Sequence, residues 1–210
     1  LLRHGETTAP ERFHGCESDV QLSELGVSQA EQAANQLAPA QLRAVISSNL
    51  RRARETAVPI ARRCNCPHLI VPDLHERRMG ILSGVALADG MSTYVETRTR
   101  WALGELQASH PGAESYQEIR DRVLPVMNRI ARDHSGQSIA VVAHGVVIQV
   151  FLTSAVPSLS PQDLRKLTPR HAEIFELEHD PSWGWNARWS QRALEVVVAH
   201  LDARPSAIDP

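Results

Sequence analysis

The sequence predicts an α/β protein, a three-layer α/β/α sandwich built on a doubly wound, mostly parallel sheet. Three observations carry this expectation. Short apolar runs alternate with longer segments of helical periodicity along most of the 210 residues. The apolar runs at 44–48 and 138–143 are rich in branched residues, as buried strands are, and lead into polar residues, Ser47-Ser48 and His144. No repeat, low-complexity stretch or linker interrupts the pattern, so the chain reads as a single domain over 1–210.

The elements follow in order. "LLRHGE" (1–6) is the stump of a strand, and because it begins without Met a few leading residues are expected to precede it. "LSELGVSQAEQAANQLA" (22–38) has Ser23 as N-cap and Leu25, Ala30, Ala33 and Leu37 at helical spacing. "AVISS" (44–48) is a buried strand, and 49–63 is a helix in which Pro59 is expected to introduce a kink. "HLIVP" (68–72) is a further strand, and a helix is expected at 92–107. The long amphipathic segment 114–134 opens with Ser115-x-x-Glu118, the pattern of a capping box. "SIAVVAHG" (138–145) is the clearest buried strand and 146–155 an apolar helix. Near the end, 172–180 and 194–201 read as strands, separated by a surface turn at 181–186.

Composition narrows the function. A net charge of −2 excludes the electrostatic footprint of a nucleic-acid or membrane-surface binder. No apolar run reaches the ~20 residues of a bilayer span. Cys16, Cys64 and Cys66 lack the spacing of a metal or redox site and read as reduced thiols, which implies a cytoplasmic protein. The histidines form no HExxH or His-x-His pair, so neither a metal nor a cofactor is expected. Basic residues are nearly all arginine, with Lys166 the only lysine.

Open α/β sheets bind ligands at the carboxyl ends of their strands. Here those ends share one chemical theme: Arg3-His4-Gly5 after the first strand, Arg52 after "AVISS", Glu76 after "HLIVP", and His144-Gly145 after "SIAVVA". Histidine supplies a nucleophile or charge, arginine a planar fork matched to phosphate, and glutamate a proton.

The motifs "RHGET" (3–7), "SSNLRRARETA" (47–57), "LHERRMGILSG" (74–84), "HPGAESYQEIRDRV" (110–123) and "VVAHG" (141–145) occur in this order. Together they resemble the histidine phosphatase superfamily in its phosphoglycerate-mutase-like branch, over nearly the whole chain. The resemblance implies phosphoryl transfer with His4 as nucleophile, Arg3 and Arg52 as a guanidinium clamp, and His144 as added charge on the transferred group. It makes Glu76 the acid for the leaving oxygen and then the base for water. Gly5, Thr7 and the N–H of Gly145 are implied as phosphate contacts, with Arg12 and His14 as substrate contacts. Arg51 and Arg54 are expected on a solvated helix face.

The chain departs from the family pattern at Pro10, where Asn is frequent, and at His14, where Gln is common. Ala113 replaces a Gly, and His171 stands where small or amide residues are more usual. The segment between Glu76 and Glu114 is short, without the long insertion of the mutases, which favours hydrolysis of a small phosphomonoester. The alternatives are a phosphoglycerate-type phosphomutase and a non-catalytic phosphate- or phosphoprotein-binding module. Arg12, His14, Arg77 and Arg78 form either a rim for an acidic substrate, such as a phosphorylated sugar acid, or solvated surface.

Overall fold

The structure, a computed structural model, describes residues 1–188, so the strand expected at 194–201 lies outside the described residues. Four strands, β1 (Leu2–Arg3), β2 (Ala44–Ser47), β3 (His68–Ile70) and β4 (Ile139–Ala143), form one sheet in the order β1-β4-β2-β3. Every pairing in it is parallel. β2 and β4 occupy the centre because their residues are apolar on both faces and almost all buried. β3 takes an edge, where Leu69 and Ile70 remain exposed.

Side chains alternate across the strands, so each face of the sheet builds its own core. On one face Val45, Ala140 and Val142 meet α1 (Glu24–Leu37) and α2 (Arg51–Cys64) through Ala33, Ala34, Ala53, Ala57 and Ile60. On the other, Ile46, Val141 and Ala143 meet α4 (Tyr116–Asp133) and α5 (Gly145–Ala155), with Trp101 of α3 (Leu87–Ala102) completing the cluster. The result is the expected three-layer α/β/α arrangement.

Local chemistry fixes several boundaries. Ser23 caps α1 by accepting from the Gly26 N–H at 3.0 Å, and Ser115 with Glu118 completes the capping box of α4. The inner face of α1 is made of Gly26, Ala30, Ala33 and Ala34 rather than of Leu25, which is 53% exposed. Small residues are required there because backbone crosses backbone: a Cβ on Gly26 would lie 2.0 Å from the Glu6 carbonyl oxygen, and one on Gly5 2.5 Å from that of Gly26.

α2 runs without a break through Pro59. α3 begins and ends five residues earlier than its apolar pattern indicates, stopped by Gly104, whose φ of +93° a side chain would resist. The turn expected at 181–186 is confined to its first residues. Gly184, Trp185 and Asn186 instead belong to β6 (Gly184–Arg188), which pairs antiparallel with β5 (Glu176–Asp180) as a separate two-stranded sheet. Trp185 anchors this hairpin by packing edge-on against Phe151 at 5.1 Å and donating its indole N–H to Asn128 Oδ1 at 2.7 Å.

Candidate active site

Parallel pairing of β1 with β4 puts Arg3 in register with Ala143, so the next residue of each strand, His4 and His144, emerges side by side. Their ring centroids are 5.1 Å apart and both side chains are buried. His4 Nδ1 lies 2.7 Å from the Gly5 carbonyl oxygen. A carbonyl only accepts, so Nδ1 carries the proton and Nε2 keeps its lone pair. The Gly5 N–H is committed to Thr56 Oγ1 at 3.0 Å, and that hydroxyl donates to the Arg52 carbonyl at 2.8 Å. Gly5 therefore ties the end of β1 to α2 and does not line the cavity.

The two arginines converge on the same place but not as an open fork. Arg3 donates through Nη1 to the Pro169 carbonyl at 2.9 Å. Arg52 donates to the carbonyls of Ser18 and Gly15, both at 3.0 Å, and so holds the 15–18 loop. The Nε of each guanidinium is buried and unpaired, as are both ring nitrogens of His144. An unpaired buried donor ordinarily costs about 1–3 kcal/mol. Two arginine Nε–H groups and the single N–H of a neutral His144, all buried near His4 without an acceptor among the described residues, mark this as a place suited to an anion. Arg52 and His144 lie behind the cavity wall rather than on it.

Glu76 follows a short 3₁₀ turn at Pro72–Leu74. It accepts the Arg77 N–H on Oε1 at 2.7 Å and the Val146 N–H on Oε2 at 3.3 Å. The second bond sets the carboxylate at the amino end of α5, where the helix dipole favours negative charge. Arg77 itself is no part of a basic rim. It is fully buried, donates from Nε to the Glu114 carbonyl at 2.8 Å and stacks 4.7 Å above the Trp101 ring. Burial pulls its guanidinium down to about 10. Arg78 is exposed and away from the cavity.

The cavity at the strand ends has a volume of about 250 Å³. Arg3, His4, Thr7, Glu76 and Gly145 form its floor, and Arg12 and His14 stand nearer the mouth. Gly145 packs closely enough that a Cβ there would lie 3.5 Å from Arg3 Nε. His14 points its Nε2–H at the Ala9 carbonyl, 2.7 Å away, leaving Nδ1 buried and unpaired. Arg12 is held at the rim by the Gly84 carbonyl at 2.7 Å.

Sequence reasoning missed the opposite wall: Phe13, Met79, Leu87 and Tyr94, with Gln149 and Thr168 beside them. These residues arrive from α3, α5 and loops distant in the chain. Phe13 packs on Tyr94 with ring centroids 5.2 Å apart, and Met79 and Leu87 join the same cluster. The buried Arg98, which donates to Gln149 Oε1 at 2.8 Å and to Tyr94 Oη at 3.3 Å, ties Gln149 to it. Nothing local in the sequence marks that network.

Burial, followed by the charges of Arg52 and Arg3, holds His4 well below the ordinary imidazole value of 6.5. Burial first, then Arg52, does the same for His144. Both rings are neutral near pH 7. In the unfolded chain they take up protons as pH falls through about 6.5, while in the folded protein they do not. The unfolded state thus binds more protons, and stability must fall between pH 7 and 5. Thermal unfolding is expected at a lower temperature at pH 5 than at pH 7; a midpoint that does not move would contradict the neutral, buried pair.

Among the described residues no group of three or more His, Cys, Asp or Glu side chains is arranged to hold a metal ion, and no helix is long and apolar enough to cross a membrane.

Comparison with known proteins agrees with this geometry. The family model of the histidine phosphatase superfamily (branch 1) matches residues 1–192. A metal-independent phosphoserine phosphatase of Arabidopsis thaliana is 39% identical over 72% of this chain, and the match spans 65% of that relative's own length. Phosphoglycerate mutase-like protein 4 of the same plant is 31% identical over 87% of this chain and 80% of its own. The solved structure of a mycobacterial glucosyl-3-phosphoglycerate phosphatase in complex with VO3 superposes with a TM-score of 0.77. It is 26% identical and covers 90% of this chain and 96% of its own. With the match running through the sheet, both histidines and the helices behind them, the chain belongs to the histidine phosphatase superfamily, branch 1.

Proposed function

We propose that this protein is a phosphomonoesterase that hydrolyses a small phosphorylated metabolite through a phosphohistidine on His4. The observation that carries the reading is the buried set of unpaired donors, Arg3 Nε, Arg52 Nε and the His144 ring, gathered around a histidine with a free Nε2. A phosphate dianion against His4 pairs with Arg3 on the cavity wall and brings negative charge in front of Arg52 and His144. That charge works against the burial and the Arg52 charge that hold His144 neutral, so His144 takes up a proton as the dianion binds.

His4 Nε2 then attacks phosphorus and the bond to the leaving oxygen breaks as Glu76, which enters this step as the carboxylic acid, hands that oxygen its proton and is left as a carboxylate. The Nδ1–H bond to Gly5 stabilises the positive charge that the phosphorylated ring carries. In the second half, the Glu76 carboxylate takes a proton from water while the water oxygen attacks phosphorus. The N–P bond breaks, His4 regains its lone pair and inorganic phosphate leaves.

Hydrolysis is favoured over mutase chemistry by the outer half of the cavity. A bisphosphorylated intermediate needs a second anion site, yet this wall is built from Phe13, Met79, Leu87 and Tyr94, with Arg12 the arginine at the mouth. Arg77, which would have added a cation, is sealed under Trp101. Binding without turnover is disfavoured because the Glu76 carboxylate, although it accepts from two backbone N–H groups, lines the cavity, where it repels a bound anion unless it has a proton to move.

The test is a panel of phosphorylated metabolites, with phosphoserine and phosphorylated sugar acids included because relatives of those names exist. Phosphate release from at least one is expected. Because the cations of the site are side chains, release should be unchanged in excess chelator. Complete loss in chelator, restored by magnesium or zinc, would overturn the mechanism.

A further inference from the structure

A further histidine stands at the site, beside the nucleophile, for which the mechanism above has no use. His171 lines the cavity with its ring centroid 5.8 Å from that of His4, tilted by 42°. It is half-buried, and its ring makes no hydrogen bond to a described residue.

The backbone that presents it is tied down with unusual thoroughness. The Ala172 N–H donates to the Arg3 carbonyl at 3.0 Å and to the His4 carbonyl at 3.3 Å, and the Arg3 N–H donates to the Glu173 carbonyl at 3.3 Å. Arg3 Nη1 adds its bond to Pro169. Ala172 meanwhile adopts a φ of +58°, in the left-handed region. That conformation costs a non-glycine residue on the order of 1 kcal/mol or more and persists only where surrounding bonds enforce it. The strained, clamped turn fixes the direction of the side chain just before it. That side chain points into the cavity beside the nucleophile.

We propose that His171 is a phosphate-binding residue, donating a ring N–H to an oxygen of the phosphoryl group carried by His4, alongside Arg3, Arg52 and His144. The inference rests on the phosphohistidine reading. The charged and titratable groups facing the ring are Arg3, Glu6 and His4. Burial and Arg3 press its titration down to about 4, against Glu6, so the donor is a neutral imidazole near pH 7. With neither nitrogen held by a described residue, the ring can adopt the tautomer that donates.

Competitive inhibition by vanadate tests this, with p-nitrophenyl phosphate as substrate. His171→Ala and His171→Phe both remove the donor, and Phe also refills the space. Each should raise the inhibition constant about tenfold or more, as expected for a lost hydrogen bond to a charged group. His171→Asn and His171→Gln place an amide N–H near the imidazole's Nδ1 and Nε2 positions respectively, and one of them should restore it to within about threefold. A residue that merely fills the wall would be replaced well by Phe and poorly by an amide. Thermal unfolding of each variant separates loss of the donor from loss of the fold. If vanadate competes but the Ala and Phe variants bind it as wild type does, the inference is overturned and the reading of the site stands. If vanadate does not compete in the wild-type protein, both are overturned.

Discussion

Replacing His4 by Ala is expected to abolish turnover, lowering it by a factor on the order of 10⁴–10⁶, the scale seen when an enzyme loses its covalent nucleophile or its partner. The expectation follows from position and protonation together. Of His4, His144 and His171, His4 is the one with a nitrogen fixed as a donor by a backbone carbonyl, at 2.7 Å, which leaves the other as a permanent lone pair facing the cavity. His144, 5.1 Å away, is fully buried behind it, and His171, 5.8 Å away, has no carbonyl among the described residues to set its tautomer. Neither can take over an in-line attack. Alanine also removes a buried polar ring without leaving a partner unpaired other than the Gly5 carbonyl, so the variant should remain folded and its melting transition should stay cooperative. A folded His4→Ala protein retaining more than a few per cent of wild-type activity would require another nucleophile.

Glu76→Gln should have an effect that depends on the leaving group. The proton donor is lost while the nucleophile and the cations around it stay, and removal of a general acid costs about 10²–10⁴-fold. Alkyl phosphates, whose leaving alkoxides are strongly basic, should slow by that amount in phosphoenzyme formation. An aryl phosphate such as p-nitrophenyl phosphate leaves as a stable phenolate and should slow far less. Glutamine is not a perfect substitute structurally. Glu76 accepts from two backbone N–H groups, those of Arg77 and Val146, and an amide has one acceptor oxygen for them. Some loss of stability, about 1–3 kcal/mol for the N–H left facing the amide nitrogen, should accompany the kinetic effect. Rapid-mixing kinetics on both substrate types settle the role: equal slowing for aryl and alkyl substrates would mean that Glu76 is not the leaving-group acid.

What could be read from the sequence, and what could not, divides along physical lines. The central strands were legible because "AVIS" and "IAVVA" are apolar on both faces, a pattern that a half-exposed element does not tolerate. Ser115 and Glu118 announced the start of α4 because a capping box is a contact over three residues. The residues gathered at the cavity were nameable because the fold brings strand ends together: Arg3, His4 and Gly145, which line it, and His144 behind them sit at such ends.

What failed was whatever depends on contacts remote in the chain. Arg77 looks like surface charge in the string "HERRMG", and only Trp101 and Glu114, met in three dimensions, explain how a guanidinium can be fully buried there. Leu25 fits a helical stripe, but the crossing of Gly5 with Gly26 turns α1 so that its alanines face inward. Trp185 sits in a run of turn-forming residues, yet its packing on Phe151 draws that run into a strand. The apolar wall of Phe13, Met79, Leu87 and Tyr94 has no motif, since its members share nothing but their destination. Sequence reasoning therefore reaches the chemistry at the floor sooner than the surface that selects the substrate.

The central claim is that a phosphoryl group passes through His4, and acid-quenched labelling with a radiolabelled phosphomonoester tests it most directly. A phosphohistidine is labile in acid on standing and stable in base, the reverse of a phosphoserine, so brief quenching followed by incubation at either extreme identifies the bond. The account predicts a base-stable, acid-labile label that forms within a single turnover in the wild-type protein, maps to the peptide carrying His4, and is absent from His4→Ala. A label of the same chemistry persisting in His4→Ala, or substrate turnover by the wild-type protein with no labelled intermediate under single-turnover conditions, would contradict it.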